Sequence, residues 1–174
     1  MSSAVSALFQ KKVLLLGDSI LRRMQRTQFF KNKFIHLSVV DLAVSGSTVK
    51  KGLETFSNFC DKTAVLESTN LVILLGTNDF LKNGQFDYSD YYDLARNAVA
   101  SRFKNIILVK LPPIPKRRFL TEAICQANDW IASIARRKGL KGIEAPQHVS
   151  KDGVHLDSWG MRLLTTSIWQ LVSE

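Results

Sequence analysis

The chain is poor in cysteine: 174 residues contain only Cys60 and Cys125. Two thiols cannot make a disulfide framework, and neither stands in a CxxC or Cys/His cluster of the zinc type. Both read as buried or idle thiols of a reducing compartment. Long hydrophobic runs are also missing, since no stretch approaches the ~20 apolar residues that span a bilayer. The first residues, MSSAVSALFQKK, carry their charges after a short apolar stretch, which is not the order of a secretory signal. The expectation is a soluble protein of the cytoplasm. Repeats and low-complexity linkers are lacking, and proline is scarce. Pro112, Pro113 and Pro115 share one short segment, which reads as the exit of a strand rather than a domain boundary. Acidic residues are few beside basic ones, 15 against 24, giving a formal charge of +9.

With 45% hydrophobic residues the chain has enough apolar material for one domain. We read residues 1–11 as an extension and 12–174 as the domain. Apolar runs at Lys12–Leu16, Ile35–Leu42, Asn70–Leu75 and Asn105–Leu111, with a weaker one at Lys141–Glu144, are continuous rather than alternating, as in strands buried on both faces. Between the fourth and fifth, Ile124, Ala127, Ile131 and Ile134 recur at helical spacing over Thr121–Lys138. A last helix carries Met161, Leu164, Ile168 and Leu171 on one face, with Asp157-Ser158 placed to cap it. Alternating strands and helices predict an α/β chain: a three-layer α/β/α sandwich around a parallel sheet of about five strands.

In open parallel sheets, ligands bind beyond the carboxyl ends of the strands. Ser19, Gly46, Asn78 and the Pro112 loop each follow a predicted strand and so point to one rim. Gly17-Asp18-Ser19 alone reads as readily as a helix cap as a nucleophile. Asp152-Gly-Val-His155 adds what a serine needs: a base to take its proton and a carboxylate to hold the base in the right tautomer. His36 and His148 have no such companion and read as ordinary surface or core residues. Gly76-Thr77-Asn78-Asp79 is a turn by composition, yet Asn78 could donate to an oxyanion beside the backbone N–H groups of Ser19 and Gly46.

Taken in order, Gly-Asp-Ser19, Ser45-Gly46, Gly-Thr-Asn78-Asp79 and Asp152-Gly-Val-His155 resemble the four blocks of the SGNH hydrolases, also called GDSL-type esterases and lipases. The likeness runs from Val13 to the end. It implies a flavodoxin-like fold, Ser19 as nucleophile, His155 as base, Asp152 as its orienter, an oxyanion hole of Ser19, Gly46 and Asn78, and no metal or cofactor. The second block departs from the family's Asn-x-Gly-x-x-Gly, reading Asp41-Leu-Ala43-Val-Ser-Gly46. Val-Leu-Leu-Leu-Gly-Asp-Ser-Ile-Leu-Arg-Arg, Asn128-Asp-Trp-Ile, Arg-Arg-Lys-Gly139 and Asp-Gly-Val-His-Leu-Asp-Ser-Trp-Gly160 are more narrowly similar to the esterase domain in the first open-reading-frame protein of LINE-type retrotransposons.

Two readings follow. The first is a serine esterase acting on short, acetyl-type esters or a lipid substrate, since so small a domain has little sequence for a lid. The second is an RNA-binding module on the same scaffold, similar to the SGNH-like domain of the germ-plasm protein Oskar. It would use Arg22, Arg23, Lys116, Arg117, Arg118, Arg136, Arg137 and Lys138 toward RNA. The two readings are compatible, since the same residues could tether the esterase to RNA or DNA, or, as a third reading, bring it to lipid substrates on an anionic membrane. Phe80, Leu81, Tyr88, Tyr91, Tyr92 and Phe119 could line an acyl pocket, although aromatics at such spacings more often belong to the core.

Overall fold

A computed structural model describes residues 11–63 and 67–174, so all but Lys11 of the expected extension lies outside the described residues. Five strands, β1 (Lys12–Gly17), β2 (Ser38–Asp41), β3 (Thr69–Leu74), β4 (Asn105–Val109) and β5 (Lys141–Ile143), form one parallel sheet in the order β2-β1-β3-β4-β5. Seven described helices accompany them: α1 (Ser19–Arg26), α2 (Gln28–Lys33), α3 (Val49–Cys60), α4 (Thr77–Asn83), α5 (Tyr88–Ala100), α6 (Thr121–Lys138) and α7 (Ser158–Ser173). A 3-10 segment, Pro115–Leu120, precedes α6. Helices α1, α2 and α7 pack together as one layer, and α3, α5 and α6 as the other, which completes the expected three-layer sandwich.

Burial explains which strands the sequence defines sharply. All six residues of β3 are buried, and so are five of six in β1, because these strands have neighbours on both sides and helices on both faces. β2 is an edge strand. Its residues are half-buried or exposed, and it is shorter than the expected Ile35–Leu42; Ile35 is 68% exposed, in the turn that follows α2. β4 stops at Val109, ahead of the prolines. Asn128 closes that exit: its side chain accepts from the Leu111 N–H at 2.7 Å and donates to the Leu111 carbonyl at 3.0 Å.

The helix faces follow their patterns with small shifts. Ile124, Ala127, Ile131 and Ile134 are buried as expected. In α7 the buried stripe is Met161, Leu164, Ile168 and Val172, whereas Leu171 is only half-buried. Asp157 caps α7 by accepting from the Gly160 N–H at 2.8 Å. Cys60 is half-buried and Cys125 is exposed on α6, so of the two alternatives, buried or idle, burial does not apply to Cys125. No described helix is long and apolar enough to cross a membrane.

Candidate active site

The sheet order reverses between β1 and β3: β2 lies outward of β1 on one side, and β4 and β5 lie outward of β3 on the other. Such a switch point opens a crevice at the carboxyl ends of the two strands. Ser19 follows β1 and Asn78 follows β3, so the two flank it.

The cap at the start of α1 is not Ser19 but the residue before it. Asp18 is the N-cap, its carboxylate accepting from the Ile20 N–H at 2.8 Å. The Ser19 hydroxyl is therefore not used as the cap, and it lies 2.8 Å from His155 Nε2. Gly17 makes the turn tight: a Cβ there would meet the Leu21 side chain at 2.6 Å and the Leu74 carbonyl at 2.8 Å.

The histidine arrives on a short folded loop. A bridge between Val149 and Leu156, a Ser150 N–H bond to the His155 carbonyl at 2.7 Å, and a Gly153 N–H bond to the Ser150 carbonyl at 2.9 Å hold the loop before α7. Asp152 Oδ2 lies 2.7 Å from His155 Nδ1, while Oδ1 accepts from the N–H groups of Val154 and His155, both at 2.9 Å. Partial burial pushes the Asp152 carboxyl up. The two N–H groups, the His155 ring and the Ser150 hydroxyl outweigh it and hold the carboxyl well below the usual carboxylate range. Arg23 adds a cation at 3.5 Å from Oδ2.

The residues expected around an oxyanion also meet here. Gly46 has φ +76°, in a turn where the Ser47 N–H bonds the Val44 carbonyl. Neither the Ser19 nor the Gly46 N–H has a hydrogen-bond partner among the described residues, which leaves both able to donate. Asn78 Nδ2 donates to the Ser47 carbonyl at 3.1 Å and stands 3.4 Å from Asp18 Oδ2. An amide carries two hydrogens, and here one is held by the Ser47 carbonyl and the other by the longer contact to Asp18. Where the resembling family places asparagine, Asp41 accepts from the Ala43 N–H at 2.8 Å, an Asx-type turn that supports the same loop.

Two buried carboxyls behind the serine have no counterpart in the sequence reading. Burial raises Asp18 to about 7, against the pull of the Ile20 N–H, and the neighbouring Asp79 adds to the rise. Burial likewise raises Asp79 to about 6, opposed by the Val49 N–H that it accepts at 3.0 Å. Asp18 had a legible signal, being an N-cap residue type at a strand-to-helix turn. Lys82, whose Nζ lies 2.6 Å from the Gly46 carbonyl, had none.

The aromatic residues divide. Phe80 and Tyr91 are core; Tyr88, Tyr92 and Phe119 are exposed, and Leu81 is half-buried. Phe80 stacks on Phe86, which also packs on Tyr88, Tyr91 and Trp130 in a cluster beneath the Gly76 turn. The expected set therefore does not line one pocket. His36 is exposed, and His148 packs edge-on against Trp159.

The eight basic residues likewise fail to make one surface. Arg22 and Arg23 on α1 and Lys116, Arg117 and Arg118 on the 3-10 segment belong to the site end of the sheet. Arg136, Arg137 and Lys138 end α6 just before β5 begins, at the opposite end of the strands.

No protein-family model and no curated protein sequence matches the chain. Solved structures do. A GDSL-like lipase from Bacteroides thetaiotaomicron superposes with a TM-score of 0.76 at 22% identity, over 98% of this chain and 95% of that one. A member of the lipolytic G-D-S-L family from Veillonella parvula gives 0.77 at 18%, over 94% and 98%. The acetylxylan esterase Axe2 from Geobacillus stearothermophilus gives 0.68 at 17%, over 94% of each chain. With its five parallel strands, its two helical layers and the switch point beside Ser19, this chain has the fold of the GDSL-like hydrolases.

Proposed function

We propose that the chain is a serine esterase that hydrolyses short, acetyl-type carboxylic esters through an acyl-enzyme. The observation that carries this reading is the continuous hydrogen-bonded line from Ser19 Oγ to His155 Nε2, 2.8 Å, and from His155 Nδ1 to Asp152, 2.7 Å. Ser19 Oγ attacks the acyl carbonyl while His155 Nε2 takes its proton, and Asp152 holds the ring and stabilises the imidazolium that forms. The N–H groups of Ser19 and Gly46 and the Asn78 amide receive the oxyanion. His155 then returns the proton to the departing alcohol oxygen. Water, deprotonated by the same ring, attacks the acyl-serine and releases the acid.

Ser19→Ala removes the attacking oxygen. Hydrolysis of p-nitrophenyl acetate is expected to fall by about 10⁴-fold or more, and covalent labelling by a fluorophosphonate is expected to vanish. Equal turnover by the two proteins would overturn the reading. An acyl-length series on the wild type checks the preference for acetyl: kcat/KM should fall as the acyl chain lengthens.

A further inference from the structure

Four cations are anchored around the proposed nucleophile, and they come from three separate elements. On the side of the histidine loop, Arg23 of α1 reaches Asp152 at 3.5 Å through one nitrogen, and the stem of Lys116 lies directly over Gly153. Facing them, Lys82 at the end of α4 donates to the Gly46 carbonyl at 2.6 Å, and Arg117 donates to the Leu81 carbonyl at 3.3 Å. Backbone carbonyls bear no net charge. Among the described residues, Lys82, Lys116 and Arg117 have no carboxylate within ion-pair distance.

The acids close by cancel this charge only in part. Asp152 offsets Arg23, and Asp18 and Asp79, although raised to about 7 and about 6 by burial, still carry part of their negative charge behind the serine; Lys82, Lys116 and Arg117 remain without a carboxylate partner in contact. Like charges placed together repel one another, and folding gains nothing from holding four of them at one rim. A concave site edged by one sign of charge concentrates ligands of the other sign, by about tenfold to a thousandfold at low salt. We infer that the site takes esters that themselves carry an anionic oxyacid group, a phosphate or carboxylate within reach of Arg23, Lys82, Lys116 and Arg117. This rests on the esterase reading and narrows it to a substrate class.

The test compares 4-acetoxybenzoate with its neutral amide, 4-acetoxybenzamide, each corrected for its spontaneous hydrolysis. The anion is expected to show about tenfold higher kcat/KM at low salt, carried by KM. That preference should shrink toward unity when the Debye length falls to about 3 Å in ~1 M NaCl. Lys82→Gln with Arg117→Gln should lower the ratio, and charge reversal to Glu should lower it further. Phosphatidylglycerol vesicles separate the sources of the anion: if they inhibit turnover of the soluble ester, the cations read a lipid headgroup, and if they do not, a soluble anionic ester. A ratio of one, insensitive to salt, with Ser19-dependent turnover of the amide would overturn this inference and leave the esterase standing. Loss of neither substrate's turnover in Ser19→Ala would instead overturn the esterase.

Discussion

The two ends of the sheet each carry a polar network, and they are built to opposite rules. At the amino-terminal end of the strands, Asn70 is fully buried; it donates to the Lys12 carbonyl at 3.2 Å and accepts from the Asn105 amide at 2.7 Å. That ladder ties β1, β3 and β4 side by side. At the carboxyl-terminal end, Ser19, His155 and Asp152 form a chain that reaches the surface and ends on a carboxylate 43% exposed. The first network is satisfied internally and fixes register. The second leaves a hydroxyl and two backbone N–H groups ready for something else. Burial therefore separates a polar group that holds the fold from one able to act on a ligand, although both sit at strand ends.

The glycines repeat the contrast. Gly17, at the site end, has no room for a Cβ, whereas Gly139, ending α6 at the far end with φ +66°, would place one in open space. Crowding at the first is a packing demand, and at the second only backbone conformation asks for glycine.

The sharpest way to break the comparison is Asn78→Ala. Loss of one oxyanion donor should lower kcat by about 10²- to 10³-fold with KM little changed, as read by steady-state kinetics on p-nitrophenyl acetate. Next comes Gly17→Ala, which drives a methyl into Leu21 and the Leu74 carbonyl and is expected to cost about 1–3 kcal/mol in urea unfolding. Gly139→Ala, strained only by its left-handed backbone, should cost about 1 kcal/mol and spare activity. At the far end, Arg136→Ala with Arg137→Ala should stay within about 0.5 kcal/mol of wild type and leave turnover unchanged.

Acid titration sharpens the same contrast through stability. Asp18, raised to about 7, and Asp79, raised to about 6, bind protons more tightly folded than unfolded. Their contribution is complete below the ordinary carboxyl range near 4 and is lost as pH rises through 6 and 7. Asp152, held low, works the other way: its contribution is present above that range and is lost as pH falls below it. Thermal melts across this window should show Tm declining from about pH 4 to pH 7, and Asp18→Asn should flatten the decline.

Much of this was legible in the sequence because burial writes it there. Central strands covered on both faces need unbroken apolar residues, so Leu14–Leu16 and Leu71–Leu74 announce themselves. The edge strand β2 is half-solvated, its apolar run spills into the preceding turn, and its start was misplaced. That Gly-Asp-Ser19 and Asp152-Gly-Val-His155 meet was readable because one follows a buried strand and the other precedes a capped helix at the same rim. Which basic residues would share a surface was not readable. That depends on α6 running back along the sheet, which carries Arg136 and Arg137 away from Arg23. Lys82 was silent because a lysine touching a backbone carbonyl leaves no pattern in composition.

Ser19 and His155 are 136 residues apart along the chain. Nothing in local sequence brings the two together; only the closed sheet and its covering helices do. Until that closure the Ser19 hydroxyl has no imidazole beside it. Only when the loop that carries His155 closes onto α1 does the 2.8 Å contact come into being, so that contact reports that distant parts of the domain have folded together.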